Sequence, residues 1–378
     1  MSFNIQHILR IGITGQAGFI GTHLFNYLGL QEGVERISFE NIFFQNSWQL
    51  RAFVKQCDVI VHLAAMNRHN DLEILYQTNI HLVQQLIDAI EAENVKPHII
   101  FSSSTQEEKD NIYGHSKKKG RELFIRWAQQ QGGTFTGLII PNVFGPFGNP
   151  NYNSVIATFS HQLTHNRTPK LETDGRLKLI YVGELIDEIW KIIKEKLVES
   201  EYFLKHTAEA KVSEILTLLE NYRTQYFENN ILPKINTRFE LNLFNTFRSY
   251  FDHSKHYPVL LKKNSDNRGN FVETVKTSIG GQFSFSTTHT GITRGDHFHT
   301  RKIERFAVIK GKAVIELRRI GTTEILHFEL DGDQPAFVDM PVWYTHNITN
   351  VGSEELLTLF WINEFFDASD PDTFFEKV

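Results

Sequence analysis

Two groups of side chains in this sequence have the types and spacing of reactive sites, and the first is a tyrosine–lysine pair. Tyr113 and Lys117 are four residues apart in a segment with helical periodicity, so the phenol and the ammonium project from one helix face. A neighbouring cation lowers the pKa of a phenol, and we therefore expect Tyr113 to exchange a proton near neutral pH. Ser104, or alternatively Ser103, ends the preceding strand and can orient a carbonyl group beside it. The alternative is a surface tyrosine near solvated lysines, and the two lysines that follow Lys117 are assigned to solvent.

The second group is a quartet of three histidines and one glutamate. Residues i and i+2 of a strand point the same way, so His297 and His299 can share one cavity. Glu304 follows across a turn, and His346 comes from a separate strand. Three imidazoles and a carboxylate suit zinc, iron, nickel or manganese, and these ligands do not choose among the metals. With 17 histidines in the chain, chance alone can explain the position of any single one. It explains a spaced quartet less well, so the quartet predicts a metal site.

A glycine-rich turn follows the first predicted strand and opens a helix. In Gly15, Gly18 and Gly21, the first glycine permits the tight turn and the second lets the backbone approach a pyrophosphate. The third allows the helix to pack closely on the strand. Phe19 and Ile20 belong to the same motif and are expected to contact the cofactor, and the helix N-terminus that the motif opens attracts phosphate groups. Glycines in this context predict a dinucleotide-binding site.

The choice between the two nicotinamide cofactors depends on Glu40. This residue lies 25 positions after Gly15, near the end of a predicted second strand, Glu35–Glu40. A carboxylate there accepts a hydrogen bond from a ribose 2′-hydroxyl but repels a 2′-phosphate, which favours NAD over NADP. Arg36 and Arg68 are the nearby cations that can reverse this preference.

The predicted elements that position these residues change character along the chain. Up to about residue 200, short apolar runs alternate with helical patterns, which is typical of a parallel sheet covered on both faces. Residues Ser213–Phe247 remain helical and polar. The predicted strands of this part are Ile8–Thr14, Val59–Ala65, His98–Ser103 and Thr136–Ile140, and the predicted helices include Asn79–Glu93 and His115–Gln131.

Residues 257–365 consist of short alternating stretches separated by glycine-containing turns, which indicates an antiparallel sandwich or barrel. We therefore predict an α/β Rossmann-type domain over residues 1–250 and an all-β domain over residues 251–378. The boundary falls near Phe251–Tyr257. Predicted strands of the second domain include Arg305–Ile309, Ala313–Leu317 and Leu356–Trp361.

Length and composition limit the class of protein. A chain of 378 residues suggests about two domains, and a net charge of −5 without a basic stripe argues against nucleic-acid binding. The single cysteine, Cys57, excludes an internal disulfide and a cysteine-based zinc ribbon. No apolar run reaches the ~18 residues of a membrane span. Since residues Met1–Arg10 also lack the pattern of a signal peptide, we expect a cytoplasmic protein without a membrane partner.

The motifs of the first half, taken together, resemble the extended short-chain dehydrogenase/reductase family. The resemblance implies that Ser104, Tyr113 and Lys117 are the catalytic set. It also implies that Asn79 is the family's structural active-site asparagine. The interval from Ser104 to Tyr113 is shorter than is usual in the family, and the arginine often found before the last motif is absent. The motifs are Gly15–Gly21, Val61–Ala65 with cofactor-contacting Leu63, Ala64 and Ala65, Ser102–Ser104, Tyr113 with Lys117, and Pro141–Pro146.

The histidine quartet lies in two motifs that resemble those of the cupin superfamily. The second motif has Trp343 where the family normally has glycine. The resemblance implies a double-stranded β-helix, or jelly roll. Some sugar-modifying cupins are metal-free and use a histidine at the position of His297 as a base. His299, Glu304 and His346 are therefore the expected ligands, and His297 is a ligand or a base.

A reductase followed by a cupin resembles the bifunctional enzymes of capsular polysaccharide synthesis over nearly the whole chain. The resemblance implies C3 epimerisation of a UDP-2-acetamido-2,6-dideoxy-4-hexulose by the cupin. C4 reduction then gives UDP-2-acetamido-2,6-dideoxy-L-talose, on the route to UDP-N-acetyl-L-fucosamine. It also implies NADPH, with NADH as the alternative that Glu40 favours, one zinc ion and a homodimer. Further motifs that carry it are Pro150–Phe159, Asp266–Phe271, Tyr344–Asn347, Asn363–Glu364 and Pro371–Thr373.

Two other interpretations remain open at this point. The cupin can serve only as a dimerisation or sugar-binding module beside a single-activity reductase, and exchange of the C3 proton by isolated residues 251–378 would exclude this. The chain can also be a cofactor-sensing regulator without enzymatic activity. Such regulators lack the tyrosine–lysine pair, so Tyr113 and Lys117 count against that interpretation.

Overall fold

The computed structural model describes residues 8–266, 269–272, 274–277, 281–364 and 367–378. The chain forms two compact units. The first comprises residues up to 144 with 148–155 and 175–211, and the second comprises 145–147, 156–174 and 212–378. Residues 212–250 therefore pack within the second unit, whereas the sequence analysis placed them in the first domain. The boundary between independently folding domains stays a prediction.

A six-stranded parallel sheet forms the centre of the first unit, with the strand order β2-β1-β3-β4-β5-β8. Its inner strands are buried along almost their whole length, because helices cover both faces. A small sheet of order β6-β7-β9 accompanies it. These strands are β1 (Leu9–Thr14), β2 (Val34–Ile37), β3 (Val59–His62), β4 (His98–Ser104), β5 (Thr134–Ile140), β6 (Asn142–Phe144), β7 (Arg176–Tyr181), β8 (Tyr202–Phe203) and β9 (Ala208–Lys211). The predicted α/β architecture is confirmed.

The helices of the chain are α1 (Phe19–Leu28), α2 (Ser47–Val54), α3 (Leu72–Ala92), α4 (Ile112–Gln131), α5 (Val155–Thr164), α6 (Val182–Glu195), α7 (Val212–Tyr222), α8 (Arg238–Arg248) and α9 (His253–His256). Short 3-10 helices cover Asn41–Gln45 and Thr105–Glu108, and a π-helix covers Arg223–Glu228. Within the described ranges, no helix is both long enough and apolar enough to cross a membrane.

Several element boundaries differ from the predicted ones, and those of β3 and α3 have local reasons. Strand β3 ends at His62, because the residues that follow leave the sheet and pass close to Gly15. Helix α3 begins at Leu72, seven residues before the predicted start, because the Asp71 carboxylate accepts hydrogen bonds from two amides of the first turn. Leu72 and Ile74 are exposed, so the first turn carries no periodic apolar pattern.

The second unit is built on two five-stranded antiparallel sheets of order β11-β20-β17-β22-β15 and β19-β18-β21-β16-β23. The predicted cupin-like sandwich is confirmed. Of the motif Asp266–Phe271, residues 267 and 268 lie outside the described residues. The strands are β10 (Ile231–Leu232), β11 (Val259–Leu260), β12 (Lys263–Asp266), β13 (Gly269–Val272), β14 (Lys276–Thr277), β15 (Gln282–Thr288), β16 (Thr293–Phe298), β17 (Glu304–Lys310), β18 (Lys312–Arg319), β19 (Ile325–Asp331), β20 (Ala336–Met340), β21 (Tyr344–Asn350), β22 (Leu356–Ile362) and β23 (Phe374–Phe375).

A buried ion pair joins the helical segment 212–256 to the first of these sheets. Arg305 of β17 contacts Asp339 of β20 through two hydrogen bonds, Nε to Oδ1 at 2.7 Å and Nη2 to Oδ2 at 3.0 Å. The π-helix adds the Tyr226 hydroxyl, which donates to Asp339 and lies 2.9 Å from the Tyr257 hydroxyl. From α8, Arg248 donates to the Met340 carbonyl at 2.9 Å. Burial alone raises the pKa of Asp339, but Arg305 lowers it more, so the carboxylate stays ionised.

Candidate functional site

The glycine-rich turn after β1 has no room for a side chain at Gly15 or Gly21. Gly15 has a φ of +74°, and a Cβ placed on it would lie 2.8 Å from the backbone nitrogen of Ala64. A Cβ on Gly21 would lie 2.3 Å from the Gly15 carbonyl oxygen. The Gly18 amide donates to that same oxygen at 2.9 Å. The turn therefore brings β1, α1 and the segment after β3 together without intervening side chains.

This turn fits a dinucleotide phosphate. Gly18 is the N-cap of α1, and among the described residues no side chain caps the helix and no acidic residue lies in its first turn. The N-terminal amides and the positive end of the helix dipole are thus available to an anion. The side chain of Gln16 accepts a hydrogen bond from the Phe39 amide at 3.1 Å, which holds the segment after β2 against the turn. Sequence reasoning missed this contact.

The three residues expected to influence cofactor choice lie in different surroundings. Glu40 is exposed just after β2, immediately beyond the residue that Gln16 holds. Arg36 donates to the Phe25 carbonyl at 3.1 Å and lies 4.4 Å from the centre of the Phe25 ring, so its guanidinium is already engaged on α1. Arg68 lies 6.0 Å from the centre of the Tyr152 ring. The preference for NAD over NADP, which depends on the group at the ribose 2′ position, stays a prediction.

Tyr113 lines a cleft of about 670 Å³ in the first unit. The cleft lies between the segment after β3 and the start of α4, and both polar and apolar side chains line it. The lining residues are Asn67, Arg68, His69, Asn70, Leu72, Leu75, Asp110, Asn111, Ile112, Tyr113 and His115. Arg68 therefore shares this cleft with the phenol. A cleft of this size, lined by apolar groups and a few polar ones, is suited to a small-molecule ligand.

Hydrogen bonds span the short interval between Ser104 and Tyr113. Ser104 Oγ accepts from the Gln106 amide at 3.1 Å, and the Gln106 side chain accepts from Asn111 at 3.0 Å. Asn111 in turn caps α4 by accepting from the Gly114 amide at 2.8 Å. A Cβ on Gly114 would lie 2.0 Å from the Gln106 carbonyl oxygen, so only glycine lets α4 approach this closely. The shortened interval is thus a compact, bonded bridge.

A buried ion pair beneath this bridge distinguishes the two candidate serines. Glu107 and Arg121 are both nearly buried, with Oε2 and Nη2 2.7 Å apart, and Arg121 also contacts Glu201 at 2.7 Å. The Ser103 hydroxyl donates to the Glu107 carboxylate. Since the hydrogen of Ser103 is used in this way, Ser104 is the better candidate for contacting a substrate carbonyl. The catalytic role of Ser104 stays a prediction.

Lys117 is buried and Tyr113 is half-buried, and their pKa values differ from the sequence-based expectation. Burial lowers the pKa of Lys117 to about 7. Its Nζ lies 3.4 Å from Ser102 Oγ and 4.6 Å from the centre of the Phe101 ring. Burial, followed by the nearby Tyr152, raises the pKa of Tyr113 to about 12. The expectation that Lys117 lowers the pKa of Tyr113 is therefore wrong for the protein without cofactor, and the phenol is protonated at neutral pH.

Asn79 connects α3 to both neighbouring elements. Its Oδ1 accepts from the Met66 amide at 2.7 Å, and its Nδ2 donates to the Met66 carbonyl at 3.0 Å. Nδ2 also donates to Ser116 Oγ of α4 at 2.9 Å. Asn79 thus holds the segment after β3 against the helix that carries Tyr113, a position consistent with the structural role that the family resemblance implies.

Replacing Lys117 by methionine is expected to stabilise the protein in a pH-dependent way. The pKa of Lys117 is about 7 in the folded chain and near 10.5 when unfolded, so the unfolded chain binds this proton more tightly. The wild type therefore loses stability as the pH falls from about 10.5 to about 7. Lys117→Met removes this loss and should raise the free energy of unfolding by up to about 4 kcal/mol at pH 7, with little gain near pH 10.5.

Chemical denaturation at pH 7 and pH 10 measures this difference. Lys118→Met is the matched control, because Lys118 is exposed on the same helix and should change neither value appreciably. A Lys117→Met gain that is equal at both pH values would show that the proton of Lys117 is not its source.

The metal-type quartet lies in the second unit, where all four ligand atoms are within 4.8 Å of one another. Glu304 Oε2 is 3.0 Å from His299 Nε2 and 3.4 Å from His346 Nε2. His299, Glu304 and His346 are buried, whereas His297 is half-buried. The ring centres of His297 and His346 are 4.5 Å apart. The structure therefore brings together all four residues that the sequence spacing singled out.

The hydrogen bonds around the quartet direct lone pairs toward its centre. His299 Nδ1 faces the Asp372 carbonyl oxygen, and His346 Nδ1 lies 3.3 Å from the Tyr344 carbonyl oxygen. A carbonyl only accepts, so each Nδ1 carries a hydrogen, and the lone pair that a ring can offer to a metal is on Nε2. Both Nε2 atoms and Glu304 Oε2 are buried without a well-aligned hydrogen bond among the described residues. Three buried acceptors that converge in this way fit a cation.

Burial and the short distances between the four side chains shift the pKa values of the quartet. Burial alone lowers the pKa of His299, but the Glu304 carboxylate raises it above its usual value. Burial alone raises the pKa of Glu304, but His299 and His346 lower it well below its usual range. Burial and the two other histidines lower the pKa of His297 to about 4. In the absence of a metal, Glu304 is thus ionised and His297 is neutral near pH 7.

A β-bulge sets the direction of His297. Gly295 and Asp296 both have positive φ, +109° and +56°, and the ladder between β16 and β21 shifts at this point. His297 is thereby paired directly with His346 across the strands. Trp343 also has a positive φ of +62°, the conformation that glycine adopts without strain and that explains glycine at this position of the cupin motif. Its ring stacks on Phe298, with ring centres 5.4 Å apart.

Family comparisons cover both units. The NAD dependent epimerase/dehydratase family matches residues 11–203, and the polysaccharide biosynthesis C-terminal domain matches residues 264–374. The first match spans the glycine-rich turn, the tyrosine–lysine pair and the cleft. The second spans the histidine quartet and Asp372.

Individual proteins match either nearly the whole chain or a part of it. The UDP-2-acetamido-2,6-beta-L-arabino-hexul-4-ose reductase of Pseudomonas aeruginosa is 31% identical over 375 residues, which cover 97% of this chain and 98% of that protein. The capsular polysaccharide assembling protein CapF from Staphylococcus aureus is 33% identical, with a TM-score of 0.63, and the match covers 98% of this chain and 100% of that one. RMD from Pseudomonas aeruginosa, solved with NADPH, shares the fold at 19% identity and a TM-score of 0.52, over 57% of this chain and 82% of that one.

The two family matches follow one another along the chain, and each covers one of the two candidate sites. The chain belongs to the NAD dependent epimerase/dehydratase family and, over its full length, is a CapF-like member that carries the polysaccharide biosynthesis C-terminal domain.

Proposed function

We propose that this protein reduces the C4 ketone of a UDP-linked 4-keto-6-deoxy-N-acetylhexosamine and that its second unit first epimerises C3 of the same sugar. The observation that carries the reductase assignment is the full-length match to a reductase whose name specifies a UDP-2-acetamido-2,6-beta-L-arabino-hexul-4-ose. The proposed product is UDP-2-acetamido-2,6-dideoxy-L-talose, on the route to UDP-N-acetyl-L-fucosamine for capsule or O-antigen. The proposed assembly is a homodimer.

For the reduction step, the first unit supplies proton transfer and orientation. A bound reduced nicotinamide, NADPH or alternatively NADH, supplies the hydride. Gly15, Gly18 and the amides of Phe19 and Ile20 would hold its pyrophosphate at the start of α1. Tyr113 is protonated at neutral pH, and its hydroxyl is the proposed proton donor to the C4 oxygen as that oxygen gains charge.

Lys117 and Ser104 would complete this step through position and charge. Protonated Lys117 beneath the cleft would favour the phenolate that Tyr113 becomes after it gives up its proton. Ser104 has a hydroxyl hydrogen available to orient the ketone, while Ser103 donates to Glu107. A cofactor-sensing regulator has no need of this tyrosine–lysine pair, which favours an enzyme.

For the epimerisation step, the second unit supplies a base near a site suited to positive charge. The C3 hydrogen is acidic because C3 is adjacent to the C4 ketone. A divalent cation, zinc first, held by His299, Glu304 and His346 would supply charge that stabilises an enolate oxygen. His297 is the half-buried member of the quartet, so it is the accessible candidate for removing the C3 proton, although it can also be a fourth ligand. Reprotonation on the other face of C3 then inverts that centre.

Product identification tests the whole proposal. The protein is incubated with candidate UDP-4-keto sugars and either NADPH or NADH, and the product is identified by NMR spectroscopy. We expect oxidation of the nicotinamide and a C4 alcohol with inverted C3. Reduction without C3 inversion would support a single-activity reductase with a non-catalytic cupin, and no nicotinamide oxidation with any of these sugars would refute the reductase assignment.

A further inference from the structure

We propose that Asp372, in the C-terminal segment, is a positioning residue that sets how tightly the quartet holds its metal. The inference rests on the proposed metal site and adds a residue outside the four candidate ligands. It assigns a role to the chain end, which lies about 70 residues from the contacts it makes.

The Asp372 carboxylate closes the loop that connects two of the candidate ligands. Its Oδ1 accepts from the Thr300 amide at 3.1 Å and from the Thr300 hydroxyl at 2.6 Å. Its Oδ2 accepts from the amides of Arg301 at 3.0 Å and Lys302 at 3.1 Å. Both carboxylate oxygens are thus used on three consecutive residues between His299 and Glu304. Asp372 is only 4% exposed, so water does not readily replace these bonds.

The backbone of the same residue acts on a ligand directly. The Asp372 carbonyl accepts from His299 Nδ1, which leaves the lone pair of His299 on Nε2, toward Glu304. Ligating histidines commonly donate their other ring N–H to an oxygen of this kind, which fixes the tautomer and the direction of the ring. Asp372 therefore controls both the position of the loop and the orientation of the imidazole.

The flanking residues hold Asp372 in this place. Its φ of +39° turns the chain sharply toward the loop. Just before it, the Pro371 carbonyl accepts from the buried Lys302 ammonium. Just after it, β23 pairs with β16 at His297 and Phe298. The C-terminal segment is thus bonded on both sides of the quartet's first motif, and a random surface contact would not show this arrangement.

The test compares full-length variants for metal retention. Asp372→Ala removes both oxygens, Asp372→Asn keeps one acceptor oxygen, and Thr300→Val removes only the hydroxyl donor. Asp367→Asn is the control, because Asp367 is on the same segment but its carboxylate accepts hydrogen bonds from Ser369 and not from residues 300–302. Each protein is loaded with Zn²⁺, and its loss to excess chelator is followed. We expect loss to be about 10- to 100-fold faster for Asp372→Ala, intermediate for the two milder variants and unchanged for the control.

Two further readouts separate positioning from a general loss of stability. Co²⁺ substituted for Zn²⁺ should show a shifted visible spectrum in Asp372→Asn, because the ligand geometry changes. The gain in melting temperature on metal addition should shrink for Asp372→Ala, so that this variant loses more stability in the loaded form than in the metal-free form. If Asp372→Ala does not fold, the rates of metal loss from Asp372→Asn and Thr300→Val test the inference instead.

The outcomes distinguish this inference from the proposed function. A wild type that binds no Zn²⁺ would overturn the metal site and this inference together. A wild type that binds Zn²⁺, with folded Asp372 variants that release it at the wild-type rate, would overturn the inference alone. Equal destabilisation of the loaded and metal-free variants would assign Asp372 to the fold instead of the site.

Discussion

Tyr113→Phe is expected to reduce ketone reduction by about 100- to 10,000-fold, the usual contribution of one general acid. The phenol lies in the cleft of the first unit, and burial and Tyr152 keep it protonated at neutral pH. Phenylalanine keeps the ring and loses only the hydroxyl, so the fold and cofactor binding should change little. Steady-state reduction of the 4-keto sugar measures the loss, and fluorescence titration with NADPH measures cofactor binding.

Tyr202→Phe is the matched control for this experiment. The Tyr202 hydroxyl lies 3.3 Å from Glu188, and neither residue lines the cleft. Its loss should leave reduction unchanged. If Tyr113→Phe retained near-normal turnover, Tyr113 would not be the proton donor.

Disrupting the quartet is expected to abolish exchange at C3 and spare the reductase. In D2O without reduced cofactor, the wild type should introduce deuterium at C3 of the 4-keto sugar, and so should Tyr113→Phe. His346→Ala should lose the metal and reduce the exchange at least about 100-fold, because a buried ligand and its charge balance are lost. Glu304→Gln keeps the shape of the side chain and tests the charge alone. Both variants should still consume pre-epimerised substrate, and NMR spectroscopy follows both reactions.

His327→Ala controls for the loss of an arbitrary histidine of the second unit. His327 lies on β19, is largely exposed and contacts Glu316 at 3.0 Å. It should keep its metal, measured by elemental analysis, and its C3 exchange. Exchange that required Tyr113 and survived loss of all four quartet side chains would place epimerisation in the first unit.

The fold was predictable where burial produces a regular pattern of apolar residues in the sequence. The inner strands β3 and β4 are buried on both faces and appear as continuous apolar runs. Where a boundary depends on a single hydrogen bond, the pattern fails. Helix α3 starts early because Asp71 caps it, and the exposed Leu72 gives no sign of this. Likewise, β2 ends at Ile37 because the chain turns toward the glycine-rich turn, where Gln16 holds Phe39.

The candidate sites were predictable to the extent that their residues are close in sequence or on paired strands. Strand alternation placed His297 and His299 together. The pKa of Tyr113 was not predictable, because it depends on burial and on Tyr152, which is distant in sequence. Asp372 was named only through a family motif. An aspartate that binds backbone amides about 70 residues away leaves no spacing to recognise.

The ion pair of Arg305 and Asp339 determines where the chain can be cut. A fragment of residues 251–378 would lack Tyr226 and Arg248, so the buried Asp339 carboxylate would lose one of its hydrogen-bond donors. Such a fragment is expected to be unstable for reasons unrelated to chemistry at C3, and variants of the intact chain are the better way to separate two activities. The same reasoning applies to any shortened form of the second unit. A fragment that begins before residue 212 keeps Tyr226 and Arg248 on the same polypeptide as the strands they contact.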